Sequence, residues 1–207
     1  MIETAILDLD GTLLDIRARH HGCYSKILVD NGRKSLSPRL YWAAKRRGVK
    51  ATGILAMTND VDLFPVFQAR WLDIIERPEW LAKDVVFRGV HRWLEAQDAA
   101  QVRLVVATHR RDGEAMRRQF ADLGLDRVVK DTIVCPLHVS KAAAVKRALP
   151  RLDASRTVWI GDTEADLAGA RGLGCRSWLL TCGLRNREFL KPLAPDGLFP
   201  KLTALPL

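Results

Sequence analysis

Ile2-Glu3-Thr4-Ala5-Ile6-Leu7-Asp8-Leu9 is a short, mostly apolar run that stops abruptly at Asp10-Gly11-Thr12. A buried parallel strand that ends in a turn has this pattern. Two later segments repeat it: Val102 to Ala107 runs into Thr108-His109, and Thr157 to Ile160 runs into Gly161-Asp162. Cys175 to Thr181 is a further strand candidate and Arg127 to Val134 a weaker one. Helical patterns over 87–98, 113–123, 139–149 and 164–172 lie between the strands of the second half. Strands alternating with helices of that length predict a Rossmann-like, doubly wound parallel sheet, an α/β fold.

Residues 15–84 break the alternation. Helical periodicity recurs around 17–29, 38–47 and 61–76, with turn signals at Asn31-Gly32, Gly48 and Arg77-Pro78. The expectation is an all-helical insert after the first strand, with residues 1–14 and 85–207 forming the α/β core. The tail from 192, punctuated by Pro192, Pro195, Pro200 and Pro206, reads as an extended strap across the surface.

Composition narrows the class of protein. With 48% hydrophobic and 28% charged residues, the 207-residue chain can bury a sizeable core, which excludes disordered, collagen-like and coiled-coil architectures. The excess of 33 Lys and Arg over 24 Asp and Glu gives +9 and favours anionic partners. Residues 15–60 carry ten Lys or Arg against three Asp, so +7 of that charge belongs to the start of the insert. Cys23, Cys135, Cys175 and Cys182 form no C-x-x-C pair, so neither zinc nor a redox motif is signalled and a reducing compartment fits. No stretch is long and apolar enough for a membrane span, and the start lacks a signal-peptide pattern. A cytoplasmic protein is expected, its oligomeric state left open.

Ligands in doubly wound sheets sit at the carboxyl ends of the strands. Here those ends deliver Asp8 with Asp10, then Thr108, then Asp162, while Lys141 opens a later helix. Carboxylates from separate loops can hold Mg²⁺ through hard oxygen ligands, and one can act as a nucleophile. Thr108 and Lys141 can donate to phosphoryl oxygens. Asp-Gly is also a common turn pair, and Thr163-Glu164-Ala165-Asp166 fits a helix capping box, so Asp166 alone has two readings.

Together these residues resemble the signatures of the haloacid dehalogenase superfamily, in the helical-capped, phosphatase-like branch that includes phosphoglycolate phosphatases and phosphoglucomutases. Asp8-Leu9-Asp10-Gly11-Thr12 matches the D-x-D-G-T pattern, and Gly161-Asp162-Thr163-Glu164-Ala165-Asp166 looks like G-D-x-x-x-D. Val105 to Thr108 and Lys141 look like the two signatures between them. The resemblance implies Asp8 as the nucleophile, Asp10 as general acid and base, and Mg²⁺ held by Asp8, the backbone carbonyl of Asp10, Asp162 and Asp166. It implies phosphate contacts from Gly11, Thr12, Thr108, the backbone amide of His109, and Lys141. An acid at position 10 favours phosphate esters over carbon–halogen substrates. The insert would be the lid that selects the leaving group.

Two departures stand out from that pattern. Ile16-Arg17 replaces a small hydroxyl residue common in relatives, and His109-Arg110-Arg111 follows Thr108 where relatives often have Asn. His20 and His21 read as exposed helix residues, and Lys45, Arg46, Arg47 and Lys50 sit together at a helix end, where they also complement the helix dipole. The insert's +7 is expected to favour anionic substrates, above all those with a second negative group. The function expected is a Mg²⁺-dependent phosphomonoesterase of a small phosphorylated metabolite, with phosphoglycolate, sugar phosphates and nucleoside monophosphates all open. A phosphomutase and, because of the basic insert, a nucleic-acid-binding or end-processing protein are the alternatives.

Overall fold

The computed structural model describes residues 1–206. Its central strand, β1 (Thr4–Leu7), lies in a six-stranded parallel sheet with β4 (Arg103–His109), β5 (Asp131–Cys135), β6 (Thr157–Gly161), β7 (Arg176–Leu180) and β8 (Gly197–Phe199). The order is β5-β4-β1-β6-β7-β8. The chain moves outward from β1 through β4 to β5 and then returns to the other side of β1, which places the topological switch point beside the central strand. Leu7 stands level with Val106 on one side and Ile160 on the other, so Asp8 leaves the sheet where Ala107 and Gly161 flank it.

Both faces of the sheet are covered. Ala5 and Leu7 point into one core with Val90, Trp93 and Leu94 of α6 (Val90–Ala99) and Met116 and Phe120 of α7 (Gly113–Asp122). Ile6 points into the other, with Ala144 and Val145 of α8 (Lys141–Ala148) and Ala170 of α9 (Glu164–Leu173). This period-two alternation between two buried faces makes the strand read as one continuous apolar run.

A short antiparallel pair, β2 (Leu14–Asp15) with β3 (Val85–Val86), brackets the helical insert. Between them lie α1 (Arg17–Asp30), α2 (Pro38–Arg46), α3 (Ala51–Ala56), α4 (Phe64–Ile74) and α5 (Pro78–Leu81). Their apolar faces close on a separate core that includes Tyr24, Ile27, Leu28, Tyr41, Leu55, Phe67 and Ile74. The long 61–76 pattern is a 3₁₀ turn, Val61–Leu63, followed by α4.

The tail differs from the expected strap. After α10 (Arg187–Leu190) it adds β8 to the sheet edge, and Leu202 and Leu205 enter the main core. Asp196 starts this strand by accepting hydrogen bonds from the Ser177 amide and hydroxyl at 2.8 and 2.7 Å. No helix among the described residues is long and apolar enough to cross a membrane.

Candidate active site

Three carboxylates converge at the carboxyl end of the sheet. Asp8 follows β1, Asp162 follows β6, and Asp166 comes from the first turn of α9. One oxygen from each lies within 4.8 Å of the others, and all three residues are buried. Lys141, at the first position of α8, donates to Asp8 Oδ1 at 2.6 Å and to Asp166 Oδ1 at 2.7 Å. Three carboxylates therefore face a single ammonium group. Burial is the largest influence on Asp8 and, with the charges of Asp166 and Asp10, pushes its carboxyl up to about 7 against the pull of Lys141. Burial and the neighbouring Asp8 and Asp166 raise Asp162 well above the usual carboxylate range. Lys141 is held the other way: burial acts to lower it, but the charges of Asp166 and Asp8 keep it protonated.

The surrounding turns are built to press on these groups. Gly11 has a φ of 86°, and a Cβ there would lie 2.3 Å from Asp162 Oδ2, so the turn after β1 requires glycine. Thr12 donates its hydroxyl to Asp162 Oδ1 at 3.3 Å, and the Leu184 amide donates to Oδ2 at 2.5 Å. The second of these donors comes from the loop after β7, to which the sequence assigned no role. Asp166 fits the capping-box reading, its Oδ2 accepting from the Thr163 amide and hydroxyl, while Oδ1 also accepts from Lys141 in the carboxylate cluster. Thr108 is buried at the end of β4. His109 turns its ring away and donates Nε2–H to the Val139 carbonyl at 3.1 Å, tying β4 to the loop before α8.

Asp10 does not join the carboxylate cluster with its side chain. Its Oδ1 accepts from Arg110 at 2.7 Å and is ion-paired with Arg19 Nη2 at 2.8 Å. Burial acts to raise its carboxyl, but the two guanidinium charges override it and hold the group well below the ordinary range. Both arginines are buried, at 1% and 3% exposure, while the Asp10 side chain is 20% exposed, so water screens the pairs only in part. Arg19 also donates to Asp84 at 3.0 Å, and Gln119 joins Asp84 at 2.8 Å to Arg110 at 3.2 Å. The network spans α1, the residue before β3, and α7. Sequence reasoning missed Arg19, Asp84 and Gln119, although Arg19 occupies the apolar stripe that continues through Cys23, Ile27 and Leu28.

His20 and His21 are not the exposed helix residues expected. The His20 ring packs edge-on to Trp42 and Trp71, and its Nδ1 is buried without a partner. His21 donates to the Leu36 carbonyl at 2.9 Å. At the end of α2, Arg47 and Lys50 are exposed, whereas Lys45 and Arg46 are half-buried. Arg46 donates to the Thr181 carbonyl, the Arg46 carbonyl accepts from the Asn186 amide at 2.9 Å, and Arg185 donates to the Lys45 carbonyl at 3.2 Å. These contacts moor the insert to the loop after β7.

A cation fits the carboxylate cluster on the chemistry of its donors. The oxygens are hard and close together, and the excess negative charge that raises Asp8 and Asp162 is what a small divalent ion would offset.

The profile of the haloacid dehalogenase-like hydrolases matches residues 2–174, and the chain belongs to this family of enzymes. A search of curated proteins found no match. Among solved structures, it is similar to a haloacid dehalogenase-like hydrolase of Streptococcus pneumoniae, with 21% identity, coverage of 97% of this chain and 94% of the other, and a TM-score of 0.78. A predicted phosphatase of Clostridium acetobutylicum gives 18% identity, coverage of 99% and 96%, and a TM-score of 0.76. A predicted phosphoglycolate phosphatase of Haemophilus somnus gives 19% identity, coverage of 97% and 94%, and a TM-score of 0.74.

Proposed function

We propose that the protein is a Mg²⁺-dependent phosphomonoesterase that acts on a small phosphorylated metabolite through an aspartyl phosphate on Asp8. The observation that carries this reading is the convergence of Asp8, Asp162 and Asp166 around Lys141 at the carboxyl end of the central strands. Mg²⁺ would be held by Asp8, Asp162, Asp166 and the Asp10 carbonyl, and when bound it supplies charge neutralisation between the phosphate and the attacking carboxylate.

The remaining work falls to the protein. Lys141 holds Asp8 Oδ1 and favours the ionised form, leaving Oδ2 to attack phosphorus. Thr108, the amide of His109 and Lys141 bind the phosphoryl oxygens in this reading, whereas the amides of Gly11 and Thr12 are engaged by the Leu14 and Leu9 carbonyls. As the Oδ2–phosphorus bond forms and the ester bond breaks, Asp10 protonates the departing alkoxide. Asp10 then accepts a proton from water, which attacks the same phosphorus and returns Asp8 as a carboxylate. While Arg19 and Arg110 both hold it, Asp10 is ionised and suited only to the base half of that cycle. The acid half requires Asp10 to leave at least one arginine.

Residues 15–84 act as the cap over this site in our reading, with β2 and β3 as its two connections. The mooring of Arg46 and the Lys45 carbonyl to the core weighs against a nucleic-acid surface there. All four cysteines are free thiols, which supports a reducing, cytoplasmic setting. Phosphate release from a broad panel of monoesters with Mg²⁺, comparing the protein with its Asp8→Asn variant, tests the reading. Release that survives the substitution would remove Asp8 as nucleophile, and transfer of phosphate to a sugar acceptor instead of water would identify a mutase.

A further inference from the structure

A cavity of about 520 Å³ opens among α1 to α4, walled mainly by Tyr41, Ile54, Phe64, Phe67, Trp71 and Leu72. His20 lines it and follows Arg19, which is ion-paired with Asp10 at 2.8 Å, so the same turn of α1 borders the cavity and reaches the acid-base group. Leu72 also lines a second opening shared with Arg110, the other arginine on Asp10. Two cations face the apolar space, Lys45 and Lys50. Lys45 is half-buried, and no carboxylate among the described residues lies within ion-pair distance of it. Glu164, the acid whose charge reaches it, is engaged by Arg185 at 2.7 Å. Burial and the charge of Arg185 press the Lys45 ammonium down to about 8.

We propose, resting on the phosphomonoesterase reading, that this cavity receives the leaving group and selects phosphate monoesters of bulky apolar or aromatic alcohols that carry a second anionic group. A two-carbon acid would leave most of the aromatic wall against trapped water and forgo its burial, whereas a ring-sized body fits the volume range of specific ligand pockets. An apolar body alone would leave the Lys45 ammonium without a counter-charge, and a carboxylate or second phosphate on the far side of the ring supplies one.

Four esters of primary alcohols separate the two features: 4-carboxybenzyl phosphate, benzyl phosphate, phosphoglycolate and glycerol 3-phosphate. With the full chain and Mg²⁺, the ring should raise kcat/KM roughly 10- to 100-fold over the small esters. The carboxylate should add about 10-fold to the benzyl ester. Lys45→Gln should abolish that second gain and leave the first. Gln68→Trp, which puts bulk at an exposed position on the cavity wall, should lower kcat/KM for the benzyl esters about 10-fold more than for glycerol 3-phosphate. Turnover of phosphoglycolate equal to or faster than that of 4-carboxybenzyl phosphate, or equal losses on all four esters in Gln68→Trp, would overturn the inference.

If no ester is hydrolysed and Asp8→Asn is indistinguishable from the parent, the phosphatase reading falls. Calorimetric titration with 4-carboxybenzyl phosphonate then decides the cavity alone. Saturable binding lost in Gln68→Trp supports it, and no heat of binding to the parent overturns it.

Discussion

Replacing Arg19 by Met should destabilise the protein far more than an ordinary substitution in a helix, because its guanidinium is the shared counter-charge of two buried acids. It is ion-paired with Asp10 at 2.8 Å, donates to Asp84 at 3.0 Å, and lies 3.4 Å from the Ile75 carbonyl. Met keeps most of the apolar stem and removes the charge. Asp10 retains Arg110 at 2.7 Å, so the larger damage falls on Asp84, whose side chain is fully buried and keeps only Gln119 as a side-chain donor. Breaking a buried ion pair from one side costs about 3–5 kcal/mol. At about 2–4 °C per kcal/mol for a chain of this size, the midpoint should drop by roughly 6–20 °C.

The cost should depend on pH in a definite direction. Burial, with the charge of Asp10, pushes Asp84 up to about 6 despite Arg19. Well below that value Asp84 is neutral in the folded state and loses little with the arginine, so the Arg19→Met penalty should be large at pH 8 and smaller at pH 5. Urea unfolding at both values, with the double variant Arg19→Met/Asp84→Leu alongside, measures it. Removing both partners should recover most of the loss, because two apolar side chains of similar bulk can replace a buried pair at little net cost. A single-variant penalty under about 1 kcal/mol at pH 8, in the range of an exposed pair, would refute the buried-network argument.

In chelator, stability should fall as pH rises from about 4 to about 7, because folded Asp8 and Asp84, raised to about 7 and about 6, still hold protons there that the unfolded chain has released. Mg²⁺ should flatten the Asp8 part of that slope, and urea midpoints that rise over this range in chelator would contradict the assigned pKa directions. Asp10→Asn should slow alkyl phosphates by about 10²–10⁴ and nitrophenyl phosphate much less, since nitrophenolate leaves without a proton. Steady-state rates on both ester types check this, and equal losses would count against the acid role where phosphoryl transfer limits both. Gly161→Ala should weaken Mg²⁺ binding at least about 10-fold, because its Cβ would stand 2.1 Å from Asp166 Cγ and displace that carboxylate; a Mg²⁺ titration followed by activity or calorimetry reads the shift.

The sheet was legible because its physics is local. β1, β4 and β6 are buried on both faces, so each appears as an unbroken apolar run ending at a polar turn, and parallel order then delivers Asp8 and Asp162 to the same edge. Asp166 and Lys141 follow because each begins a helix that starts at that edge. Less was visible where two distant segments meet. Nothing near Leu184 announces that its amide will reach Asp162, 22 residues away, and the proline-rich tail hides β8 because Gly197 to Phe199 is too short to carry an alternating pattern. The contacts of the basic run at the end of α2 were hidden for the same reason. Its charge count is correct, but Arg46 Nη2 donates to the Thr181 carbonyl, a contact that depends on how the insert docks.

Arg19 is the instructive omission, because the signal was present in the helix period. Positions 16, 19, 23, 24, 27 and 28 form the buried stripe of the first insert helix, and an arginine in such a stripe must find charged or polar partners or abandon the core. It finds Asp10 and Asp84. The consequence is a division of labour across the polypeptide. The sheet and its own helices hold the three carboxylates and Lys141, whereas the ionisation of Asp10 is set from both sides, by Arg110 of the core and Arg19 of the insert. Any rotation of the insert about β2 and β3 that withdraws α1 removes one of two charges from Asp10 and, because the insert is moored to the loop after β7 whose Leu184 amide holds Asp162, also pulls on the carboxylate cluster. In the proposed cavity a leaving group would enter beside His20, which follows Arg19 on α1, so in this reading substrate entry and the release of Asp10 involve the same helix.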